Sequence, residues 1–128
     1  MGTGTSIGRV RGLGAAKEGT HHWWHQRLTA GFNVALIGWL LLSLARLPGF
    51  DFGTVHMWLS QAWVAVPAAL LVVNLLYHMR LGLRVVIEDY QHDETRVVLI
   101  VLLNLYTAVL AAVALFALLK LAFTGAPR

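Results

Sequence analysis

The sequence contains no cysteine, which excludes disulfides, thiolate metal centres, iron–sulfur clusters and covalent CxxCH haem attachment on this chain. Any redox work must therefore use a group held without a covalent link. Charge is also scarce: 12% of residues are Asp, Glu, Lys or Arg, against about 25% in an ordinary soluble domain. Hydrophobic residues make up 58%, above the usual level of about 45–50%, and this balance excludes a soluble globular domain. Acidic residues number six against ten basic ones, for a net charge of +4. The basic residues lie outside or at the rims of the apolar runs, so they read as membrane topology, and no nucleic-acid partner is expected. The chain has no dinucleotide fingerprint, no internal repeat, and too little extramembrane sequence for a flavin domain. At 128 residues it has room for a few spans of about 20 residues each, which excludes a large transporter.

Three apolar runs are present. Residues 28–47 (LTAGFNVALIGWLLLSLARL) carry one charge, Arg46, at the far end and match the length of a membrane-crossing helix. No A-x-A-like cleavage site follows a short apolar core near the start, so this span is expected to persist rather than leave as a signal peptide. Pro48, Gly49, Asp51 and Gly53 interrupt the pattern, and residues 57–79, free of Lys, Arg, Asp and Glu, form the second span, with a kink expected at Pro67. Residues 80–96 hold seven of the sixteen charged residues and are expected as a loop at or beyond the membrane surface. Residues 97–123 form the third span, with Asn104 inside as interhelical glue and Lys120 near the end, where its stem can reach the headgroups.

The fold class is therefore an all-α membrane protein: one anchor domain, an N-terminal segment 1–27 and three transmembrane helices. Arg9, Arg11, Lys17, Arg27, Arg80, Arg84 and Arg96 lie on one side, and Arg46, Lys120 and Arg128 on the other. This excess places the N-terminus and the 80–96 segment on the cytoplasmic or matrix side and the C-terminus opposite. A bacterial inner membrane is the first expectation and a mitochondrial inner membrane the second.

This topology brings Arg27, His78 and Tyr90 to one membrane face. His78 is the only histidine within an uninterrupted apolar stretch, and a neutral imidazole facing a helix bundle is a standard axial ligand for haem iron. It could equally cap the end of its helix, where an imidazolium is favoured. Gly82, one turn on, would leave room for a flat macrocycle, and Asn74, one turn back, could orient the neighbourhood by hydrogen bonding. The Tyr90 phenol, beside Glu88 and Asp89, could donate to a quinone carbonyl or serve as an interfacial belt residue. Arg27 could pair with a carboxylate such as a haem propionate or act as a rim charge. In the run HHWWH, His21 and His25 stand one turn apart, but no carboxylate or HExxH supports zinc, and with Trp23 and Trp24 the run reads as an aromatic anchor. His56 and His92 read as solvated loop residues.

The stretches GLGAAKEGTHHWWHQRLTA (from Gly12) and HMRLGLRVVIEDYQH (from His78), with the H-x₁₀-D-Y arrangement and R-x-T-A at Arg27, closely resemble the hydrophobic membrane anchor of succinate dehydrogenase, the respiratory complex II. The likeness is to the alphaproteobacterial and mitochondrial-like forms and covers essentially the whole chain. It implies that His78 is one axial ligand of a haem b shared with a partner cytochrome b556 subunit. It implies that Tyr90 hydrogen-bonds a ubiquinone carbonyl, that Asp89 supports that site, and that Arg27 neutralises haem propionates or borders the quinone pocket, with His21 near the same propionates. The iron–sulfur and flavoprotein subunits would be the remaining partners and would carry succinate oxidation. A quinol:fumarate reductase anchor is the alternative within redox chemistry. A purely structural anchor or assembly protein is the alternative outside it, and a cationic recruiter of acidic partners is a remote third because four acids offset the charge of the 80–96 segment.

Overall fold

The computed structural model describes residues 17–124, together with Ser6; Arg9, Arg11 and Arg128, counted above for orientation, lie outside the described residues. Within residues 17–124 there are four helices: α1 (Lys17–Ala45), α2 (Phe52–Leu59), α3 (Ala62–Tyr90) and α4 (Asp93–Thr124). No strand occurs among the described residues. α1, α3 and α4 contain 29, 29 and 32 residues, and each is long and apolar enough to cross a membrane. Helices follow from the solvent: without water to bond the backbone, a single span satisfies its N–H and C=O groups only within itself. The chain is an all-α membrane protein, with three transmembrane helices among the described residues.

α2 begins at Asp51, whose carboxylate accepts the backbone N–H of Thr54 at 3.0 Å and its hydroxyl at 2.7 Å. The Thr54 hydroxyl, with its backbone amide next, holds the Asp51 carboxyl below the ordinary carboxylate range. The cap is complete above the usual carboxylate pKa and is lost as pH falls through the lowered one. A β-carbon at Gly49 or Gly53 would stand 3.2 or 3.3 Å from this carboxylate, so the two glycines leave it the space it occupies.

The apolar run 57–79 is not a single helix. α2 stops at Leu59, the Ser60 hydroxyl donates to the Met57 carbonyl at 2.7 Å, and Gln61 caps the start of α3 in an extended conformation. Two polar residues thus turn the chain where hydropathy shows no interruption. Trp58 is buried and stacks on Trp39 of α1, with ring centroids 6.5 Å apart. His56, expected in a loop, lies in α2 with its ring against Phe52.

The 80–96 segment is likewise helical except for Gln91 and His92. Leaving the hydrocarbon does not end a helix when the residues are good helix formers, and Arg84 Nε donates to Glu88 Oε1 one turn on at 2.8 Å. The tight reversal places Asp93 at φ 60°, a left-handed conformation that Asp tolerates far better than a β-branched residue. α3 continues through Pro67 without interruption.

α3 is the middle of the layer: it packs on α1 and on α4, which do not meet each other. The start of α1, the end of α3 and the start of α4 share one end, which gathers Arg27, Arg80, Arg84 and Arg96; Arg46 and Lys120 mark the other. Little of the apolar surface is covered within the chain, and side chains such as Phe32, Val34, Phe116 and Phe123 are exposed. Such exposed apolar faces suit lipid or the helices of another protein.

Candidate functional site

At about 100° per residue, His22, Gln26, Thr29 and Asn33 form one stripe along α1, and Asn74, His78 and Gly82 form one along α3. The two polar stripes face each other. Asn74 Nδ2 donates to the Thr29 carbonyl and to Asn33 Oδ1, both at 2.8 Å. One turn along, His78 Nδ1 lies 2.9 Å from Thr29 Oγ1. Thr29 Oγ1 in turn lies 2.7 Å from the His25 carbonyl and 3.1 Å from that of Gln26. Thr29 and Asn33 are buried. Beside the stripe, His25 Nδ1 and the Tyr77 hydroxyl are 2.8 Å apart.

These bonds set the register between α1 and α3, because an unpaired amide or imidazole in hydrocarbon is costly. Interhelical hydrogen bonds in membranes contribute about 0.6 kcal/mol on average and up to about 1.7. Asn74→Leu should therefore destabilise the α1–α3 pair by about 1–2 kcal/mol, read as a lower midpoint of unfolding in detergent. Adding Asn33→Leu should cost less than its effect alone, and strict additivity would show that the two amides do not act together.

The expected site residues separate into two groups. His78 is half-buried and engaged as described. Asp89 is eleven residues on, about three turns and nearly in line with His78, whereas Tyr90 is turned about 120° away and about 18 Å further along the axis. Tyr90 is 77% exposed at the end of α3, so His78 and Tyr90 share an end of the molecule without sharing a pocket. Arg27 lies about 200° around α1 from Thr29, exposed, with its guanidinium 4.4 Å from the Trp23 ring centroid. It has no carboxylate partner among the described residues. His21 is exposed beside the stripe rather than on it.

A β-carbon added at Gly82 would stand 3.6 Å from Gln26 Nε2, an ordinary van der Waals contact, so Gln26 of α1 is the neighbour of this glycine across the interface. His22 Nε2 and Gln26 Oε1 are buried without a hydrogen-bond partner, and such atoms call for water or a bound polar group. On the other side of α3, Arg80 Nε donates to Asn104 Oδ1 at 2.6 Å, which fulfils the reading of Asn104 as glue and draws Arg80 in from the surface. Arg80 and Asn104, with Tyr77 and Thr107, edge a cavity of about 450 Å³ between α3 and α4.

Thr29, His22 and Gln26 do not stand out residue by residue in the sequence. Their signal is present there all the same: polar residues at i, i+4, i+7 and i+11 in a helix otherwise destined for lipid mark the face that meets another helix.

A family model described as succinate dehydrogenase/fumarate reductase transmembrane subunit matches residues 1–119. The succinate dehydrogenase hydrophobic membrane anchor subunit of Rickettsia conorii (strain ATCC VR-613 / Malish 7) is 38% identical over 116 residues, covering 86% of this chain and 91% of that protein. The succinate dehydrogenase membrane anchor subunit of Reclinomonas americana is 36% identical over 92 residues, 69% of this chain and 77% of that one. The succinate dehydrogenase hydrophobic membrane anchor subunit of Paracoccus denitrificans is 28% identical over 112 residues, 88% and 87% of the two chains. No solved structure matches.

Proposed function

The chain belongs to the succinate dehydrogenase/fumarate reductase transmembrane subunit family, and on that basis we propose that it is the hydrophobic anchor of a succinate:ubiquinone oxidoreductase. In this role it holds the flavoprotein and iron–sulfur subunits on the membrane and, with a cytochrome b subunit, binds haem b and ubiquinone. Succinate oxidation belongs to the partner subunits, since this chain has too little extramembrane sequence for a flavin domain and no cysteine for clusters.

The observation that carries the cofactor half of the reading is the state of His78. It stands in an apolar span with Nδ1 engaged by Thr29, which leaves Nε2 as the ring atom for iron. The donor set fits a b haem held by one histidine from this chain and one from the cytochrome subunit. Haem held there would supply a one-electron carrier inside the bilayer. Arg27, unpaired with any carboxylate among the described residues, offers its N–H groups to a propionate from the outer face of α1, with His21 as a weaker donor nearby. Tyr90 presents its phenol at the exposed end of α3, where the surface of a docked partner would complete a ubiquinone pocket. There the hydroxyl donates to a quinone carbonyl, with Asp89 as its supporting neighbour.

Purification in mild detergent tests this reading. A flavoprotein and an iron–sulfur protein should accompany the chain, and the complex should show a reduced-minus-oxidised α-band of a b haem. Copurification of both proteins without that band would leave a structural anchor, and the absence of both proteins would refute the assignment to this complex. The family description also covers fumarate reductase; the direction of turnover is set by the potential of the quinone and by the partner subunits.

Orientation follows the same charge logic in the folded chain, because Arg27, Arg80, Arg84 and Arg96 share one end. That end faces the cytoplasm of a bacterial cell. An N-terminal reporter should be active on the cytoplasmic side and a C-terminal reporter on the opposite side. The reverse pattern would overturn the orientation.

A further inference from the structure

We propose that Thr29 is the positioning residue of His78: its hydroxyl fixes the imidazole as the Nδ1–H tautomer and thereby directs the Nε2 lone pair to the ligand site. The inference rests on the reading of His78 as a haem ligand and adds a residue from a different helix to it.

The geometry assigns the protons. A threonine hydroxyl has one proton and two lone pairs. Its proton has three acceptors in reach: the His25 carbonyl at 2.7 Å, the Gln26 carbonyl at 3.1 Å and His78 Nδ1 at 2.9 Å. The shortest contact is the back-bond to the carbonyl four residues earlier, a common habit of Thr in helices. With the proton so placed, the Thr29 oxygen faces His78 as an acceptor, and Nδ1 must donate. A neutral imidazole that donates from Nδ1 carries its lone pair on Nε2, the atom a metal would take.

The arrangement is also held rigidly. Thr29 is buried, and its carbonyl is gripped by Asn74, one turn from His78 on the same face of α3, at 2.8 Å. One residue of α1 therefore receives both polar side chains of the α3 stripe, so the imidazole plane is fixed relative to two helices. The hydrogen bond to Nδ1 makes the ring a stronger donor to a metal, and outer partners of this kind typically change metal affinity by about 10–100-fold when removed.

The test uses the assembled complex with its partner subunits. Thr29→Val keeps the size of the side chain and removes the oxygen. It should retain a b-haem spectrum, shift the haem midpoint to a more positive potential because the imidazole becomes the weaker donor, and release haem to a scavenging apoprotein about tenfold or more faster. Thr29→Ser, which keeps the hydroxyl, should restore both the potential and the haem retention of the parent. If the Val variant does not accumulate, Thr29→Cys, with its weak sulfur acceptor, takes its place under the same expectations. An unchanged midpoint together with unchanged release overturns the role of Thr29. His78→Ala separates this from the underlying reading. Loss of the bis-histidine signature there, with no effect of removing the Thr29 oxygen, refutes only the positioning role; survival of the signature refutes His78 as ligand and the inference with it.

Discussion

His78→Ala should strip the assembled complex of its bis-histidine haem signature and of most of its haem. The expectation rests on a histidine that sits in an apolar run with Nδ1 committed to Thr29 of a neighbouring helix and Nε2 uncommitted among the described residues. On the proposed reading, methyl for imidazole would remove a ligand of the haem iron, a larger change than any loss in the surrounding hydrogen bonds. Reduced-minus-oxidised spectra and haem content per flavin are the measurements. Succinate oxidation with an artificial acceptor that takes electrons upstream should stay near the parent level. Quinone reduction should fall less than haem content does, because on the proposed reading a partner's clusters near the membrane surface would pass electrons to quinone without the haem on the direct path. An unchanged spectrum and unchanged haem content would return His78 to the role of a helix-packing residue, which its bond to Thr29 would then fully describe.

Tyr90→Phe should lower quinone reduction by about two- to tenfold, corresponding to the 0.5–1.5 kcal/mol or so of one hydrogen bond. The ring is retained, so packing against a partner survives and the hydroxyl alone is lost. Tyr90 is 77% exposed and has no side-chain hydrogen bond among the described residues, so the change should leave the fold of this subunit intact. Electron delivery from succinate to an upstream artificial acceptor should be unaffected. Equal losses in both assays would point to faulty assembly, and no loss in either would leave Tyr90 as a belt tyrosine at the membrane rim. Its separation from His78 by about 18 Å along α3 adds a further expectation: the Phe variant should keep the haem spectrum of the parent. The two substitutions thus report on two sites at one end of the molecule.

Much of this architecture is legible in the residues themselves. Three apolar runs specify three spans because hydrocarbon admits a single segment only as a helix, and the distribution of Lys and Arg is the basis of the proposed orientation. His78 stands out because an ionisable side chain in an apolar run is costly and is retained for a reason. Two features escape the pattern: the break at Ser60 and Gln61 inside an apolar run, and the helix that continues through 80–90 where charge predicts a loop. Hydropathy measures burial in lipid and not the direction of the backbone.

Packing settled what a one-dimensional pattern does not contain. The contact of His78 with Thr29, of Asn74 with Asn33 and of Arg80 with Asn104 each joins residues 24 to 49 positions apart, and which helix faces which is chosen by the whole interface. Gly82 shows the difference most directly: its spacing from His78 is visible in the sequence, whereas its neighbour across the interface, Gln26, is not. The same register turns Arg27 away from α3 while bringing Thr29 onto it. A residue's chemistry could be read from its type, but its partner depended on how α1 lies against α3, where two stripes of polar groups must satisfy each other because the surroundings offer no water.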